Sequence, residues 1–84
     1  MSLSEGKRPV EAVQRSVVLF YSLSSAMRAE KLLKGEGIMV RPIPVPRHLS
    51  SDCGICLRFE RPDEEQIRRI LGEKQVYIQG IHPV

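Results

Sequence analysis

The chain has 84 residues, 42% of them hydrophobic, 27% charged and 5% aromatic, with no Trp and a formal net charge of +3. That is enough for one small, marginally stable domain with an aliphatic core, and too little positive charge for a dedicated nucleic-acid binder. No apolar run approaches the roughly 20 residues of a membrane span and no secretory pattern opens the chain. A cytoplasmic, reducing location is therefore expected, where paired cysteines are more often reduced, catalytic or metal-bound than joined in a structural disulfide.

Residues 1–15, MSLSEGKRPVEAVQR, are polar and charged with little helical periodicity, and read as a flexible leader before a single domain over 16–84. SVVLFYS (16–22) is the short continuous apolar run of a central strand buried on both faces. A helix follows, capped by Ser22 or Ser24. Ala26, Met27, Ala29, Leu32 and Leu33 form its apolar stripe, with Met27 as core filler, and Gly35 and Gly37 end it. IMVRPIPV (38–45) is extended, and because Pro42, Pro44 and Pro46 cannot donate to a ladder it belongs at a sheet edge.

ICLRFE (55–60) alternates, with Ile55, Leu57 and Phe59 on one face and Cys56, Arg58 and Glu60 on the other. DEEQIRRIL (63–71) is a second helix, with Asp63 as its cap, Gln66 as the reciprocal capping-box partner, and Ile67, Ile70 and Leu71 facing inward. QVYIQGI (75–81) is the last strand, ahead of a frayed IHPV end in which His82 carries no signal. This order predicts an α+β, ferredoxin-like βαββαβ sandwich, a four-stranded antiparallel sheet with two helices on one face. Since the first strand is apolar on both sides, the uncovered face should be partly hydrophobic, which suggests a homodimer or a partner protein over it.

The two cysteines, in SSDCGIC, pose the functional question. A thioredoxin-like pair opens a helix, whereas this pair opens a strand, where an odd separation sends side chains to opposite faces; only a turn at Gly54 would bring the sulfurs together. A structural zinc site needs four ligands, and one Cys pair with His48 and His82 offers no second pair at ligand spacing, so no metal or cofactor is expected, zinc shared across a dimer aside. A nucleophilic or carrier thiol fits better. Cys53 lies among small polar residues whose backbone amides can face an anion, Gly54 permits close approach, and Arg47 precedes it with Arg41 and His48 nearby in sequence. Asp52 opposes them. The bland alternative is a small residue filling a turn, with Cys56 an ordinary strand side chain, Arg47 and His48 solvated, and Ser50 and Ser51 bonding local backbone.

The run from Val17 to Phe59 resembles a small bacterial family of selenium/sulfur carrier-like proteins. The likeness rests on Ala26, Glu30 to Leu33, Gly37 and Ile38, Pro44, Pro46 and Arg47, and Ser50, Ser51, Cys53 and Gly54, and covers roughly residues 16–81. A similar domain follows a TusA-like sulfur-carrier domain in proteins linked to selenium metabolism. The resemblance implies Cys53 as the carrier thiol and gives Cys56 no role, since that strand position is usually apolar; it also implies carrier partners on separate chains.

The expectation is therefore a carrier rather than a turnover enzyme. Cys53 would accept sulfur or selenium from a donor protein and pass it to an acceptor, with Arg47, Gly54 and Ser51 stabilising the anion and Cys56 as a second thiol. The rivals are a non-catalytic interaction or ligand-sensing module, dimeric through its open sheet face, and a redox protein using both cysteines.

Overall fold

The structure, a computed structural model, describes residues 14–49 and 53–84. The leader expected over 1–15 lies mostly outside them; its last two residues, Gln14 and Arg15, belong to the fold. Arg15 begins the first strand, β1 (Arg15–Phe20). Gln14 accepts the Arg61 amide on its carbonyl (3.0 Å) and the Arg61 guanidinium on Oε1 (2.8 Å).

The remaining elements are α1 (Leu23–Gly35), β2 (Val40–Pro44), β3 (Ile55–Glu60), α2 (Glu64–Glu73) and β4 (Ile78–Pro83). β1 is antiparallel to both β3 and β4, and β2 lies outside β3, giving the sheet order β2-β3-β1-β4. This is the expected ferredoxin-like arrangement. The central strand is buried at every position from Ser16 to Phe20, and the proline-bearing strand sits at an edge, where missing donors cost no ladder bond.

Between the sheet and the helices lies the main core, which includes Val18, Phe20, Ala26, Ala29, Leu33, Leu57, Phe59, Ile67 and Leu71. Ser22 caps α1, its hydroxyl accepting the Ser25 amide at 3.2 Å. Met27 is not in the core. It is 59% exposed, because one residue past Ala26 is about 100° round the helix, and the buried stripe narrows to Ala26, Ala29 and Leu33.

Asp63 does not cap α2 as expected. A 3₁₀ turn over Arg61–Asp63 already holds its backbone helical (φ −86°, ψ −3°), and its carboxylate makes no capping bond; a capping side chain needs the extended backbone of a true N-cap.

Both helices end in the same way. After α1, Gly37 (φ +82°) donates to Lys34 and Ile38 to Leu33, each at 3.0 Å. After α2, Gln75 (φ +58°) donates to Gly72 at 3.2 Å and Val76 to Leu71 at 2.9 Å. These are Schellman closures, with Ile38 and Val76 buried just beyond the left-handed residue. The second closure uses Gln75 and Val76, so β4 starts at Ile78 rather than 75 and runs on to Pro83. His82 is consequently a paired strand residue opposite Val17, not part of a frayed end. Gln75 is the one described non-glycine residue at positive φ. Gln75→Gly should raise unfolding stability by about 0.5–1 kcal/mol, the left-handed penalty partly offset by glycine's entropy. An unchanged or lower urea midpoint would contradict this reading of the helix end.

The sheet face away from the helices is closed at its centre. Val17, Leu19 and Cys56 are 0–2% exposed there, and Ile43, Val45 and Leu49 pack against them. Two of those three come from the β2–β3 connection, which folds onto this face. The hydrophobic reason for expecting a partner over it is thus met, at its centre, within the chain itself.

Candidate functional site

The β2–β3 connection is tied at its base by the Val45 amide donating to the Gly54 carbonyl at 3.2 Å, and a turn within it by Leu49 donating to Pro46 at 2.9 Å. Gly54 has φ +82°, in the region that favours glycine, and nothing within 4 Å of where a Cβ would stand. It is needed for its conformation rather than for close packing. This turn sets the path of the chain into β3.

The two cysteines, not joined by a disulfide, part company at this turn. Cys53 is half-buried, packs against the helix-side core, and its thiol donates to the Ile55 carbonyl at 2.9 Å. Cys56 is fully buried on the opposite face beside Val17 and Leu19, its sulfur 4.0 Å from the Pro44 carbonyl. Burial, and secondarily the charge of the nearby Cys53, pushes the Cys56 thiol up from 9.0 to about 11.

That shift has a consequence for stability. A folded-state pKa raised above the unfolded value gives stability that is complete below about pH 9 and lost as the pH rises through 11. Two pH units correspond to at most about 2–3 kcal/mol. Urea unfolding at pH 8 and pH 10.5 should show wild type losing more stability than Cys56→Val, in which this titration is absent. Equal losses would mean that Cys56 is solvated.

The other residues singled out in the sequence are placed as follows. Arg47 and His48 are exposed in the turn between Val45 and Leu49, both of which are anchored to the face opposite the one that receives Cys53. Ser50, Ser51 and Asp52 lie outside the described residues. Arg41 does not neighbour the cysteine; it stands opposite Arg58, further along β2. Among the described residues no group of three or more His, Cys, Asp or Glu side chains could hold a metal, and no helix is long and apolar enough to cross a membrane. The Ile55 carbonyl, the acceptor for the Cys53 thiol, was not legible in advance, since its direction follows from the Gly54 turn.

A family model described as "Putative Se/S carrier protein-like" matches residues 15–83. The chain belongs to this family. No curated protein and no solved structure matches it. In this Se/S carrier-like chain the matched region takes in every described strand and helix, so the family's pattern and the folded domain coincide. Both cysteines fall within it, one on each side of the sheet.

Proposed function

We propose that this protein carries sulfur or selenium on Cys53, as a persulfide or selenosulfide, between a donor and an acceptor protein in the cytoplasm. The observation that supports this reading, beside the family, is the contrast between the two thiols. Cys53 is only half-buried at the mouth of a loop, whereas Cys56 is sealed in an apolar layer and stays protonated at neutral pH.

In the loading step the Cys53 thiolate attacks the outer sulfur of a donor cysteine persulfide. A new S–S bond forms to Cys53, the donor's S–S bond breaks, and the donor cysteine leaves as a thiolate. Delivery repeats this with Cys53 as donor, and no net electrons are consumed. Because an anionic sulfur facing the Ile55 carbonyl would be repelled, the reacting side chain turns away from that oxygen, toward the loop. Arg47 and the Gly54 amide, with Ser51 outside the described residues, are the groups proposed to stabilise the anion.

Incubation with a cysteine desulfurase and free cysteine, followed by intact mass measurement, tests the reading. One added sulfur atom is expected on wild type, removable by a reducing thiol; no addition would count against a carrier.

A further inference from the structure

The face of the sheet away from the helices also carries a group of arginines that the carrier reading does not use. The register sets Arg41 on β2 directly opposite Arg58 on β3. Both point to that face, because Ile43 and Cys56, two residues along each strand, pack there. Arg15 shares the face by the same count from Val17, and opposes Glu60. The three arginines line a groove of about 230 Å³ in which Glu60 is the one carboxylate-bearing residue.

Like charges directly opposite each other weaken an antiparallel pair, and no ion pair among the described residues neutralises this one. The ion pairs among the described residues, Lys34 with Glu30 and Arg68 with Glu64, are both on the helices. Guanidinium groups keep their protons throughout the working pH range and present forked donors suited to oxyanions. Three of them against one carboxylate leave the groove with an excess of positive charge.

We propose that this groove binds a tetrahedral oxyanion, bridged between Arg41 and Arg58, either as a free inorganic ion or as the phosphate of a small ester. The site is separate from the thiol. Arg58 is three residues along β3 from Ile55, about 10 Å of strand, and Cys53 packs on the other side of the sheet. The proposal therefore stands or falls independently of sulfur loading.

Calorimetric titration of the full chain with sodium sulfate, sodium phosphate and adenosine monophosphate, each against sodium chloride at matched ionic strength, tests it. Saturable binding of sulfate or phosphate is expected. Arg41→Gln and Arg58→Gln should weaken it at least tenfold, while Arg69→Gln, an exposed arginine on α2, should leave it unchanged. Amide NMR shifts of wild type on adding phosphate should centre on Arg41 and Arg58, a readout that needs no variant to fold. Tighter binding of the nucleotide than of phosphate assigns the ester; equal or weaker binding assigns the inorganic ion. A response no greater than that to chloride, an equal loss in Arg69→Gln, or shifts centred elsewhere would overturn the proposal.

Discussion

Cys53→Ser is expected to gain no sulfur from a desulfurase and cysteine, while Cys56→Val loads to the wild-type extent. The difference follows from where the two sulfurs lie. Loading requires in-line approach of a donor persulfide to a thiolate, and Cys56 offers neither access nor charge, being fully buried with its pKa at about 11. At pH 7 a thiol of that pKa is ionised in about one molecule in ten thousand. Cys53 lies two residues before β3, beyond the Gly54 turn, and is only half-buried. Cys56→Val keeps an apolar side chain of similar size in the layer formed with Val17 and Leu19, at a cost below about 1.5 kcal/mol, so a folded variant is available for the comparison. Sulfur retained on Cys53→Ser would move the carrier role away from position 53. Loss from both would point to chemistry shared between the two thiols.

A large effect on stability is expected at Phe59. Its ring is 2% exposed in the helix-side core, on an inner strand whose neighbours at that position are Ser16 and Val40. Phe59→Ala removes the ring and leaves a cavity, for a loss of about 3–5 kcal/mol. A domain of this length has a total stability of only about 4–13 kcal/mol, so the loss is at least about a quarter of the total. Urea titration monitored by circular dichroism measures it. A loss below about 1 kcal/mol would mean that the core can collapse around the gap, or that the ring is not held between sheet and helices.

Those features of the fold that depend on periodicity were open to reading in the sequence. The alternation of Ile55, Leu57 and Phe59 with Cys56 and Arg58 fixed both the strand and its two faces, and the prolines at 42 and 44 fixed which strand lies at the edge. The features that escaped depend on backbone conformations set by tertiary closure. Gln75 gives no sign in the sequence that it will take the left-handed position a glycine usually occupies, so the start of β4 was placed too early and His82 was left out of the sheet. Asp63 has the residue type of a cap, but the 3₁₀ turn that includes Pro62 already winds its backbone.

At the site, the divergence of the two cysteines followed from strand geometry. The folding of Val45 and Leu49 onto the second face did not, because a connection rich in proline carries no period to read. That fold-back carries Arg47 with it, and Arg41, close to the cysteine in sequence, is placed by register alone.

The edge formed by β2 limits how copies of this chain can associate. The Val45 amide points toward β3, so by alternation Arg41 and Ile43 do as well, and Val40, Pro42 and Pro44 point outward. Two of those three positions have no N–H to offer. Among the described residues a strand arriving from outside finds a usable template only along β4, and two molecules joined there would each display a blunted margin to the solvent. Growth by sheet extension therefore halts at a pair, and a fibril has no surface on which to continue.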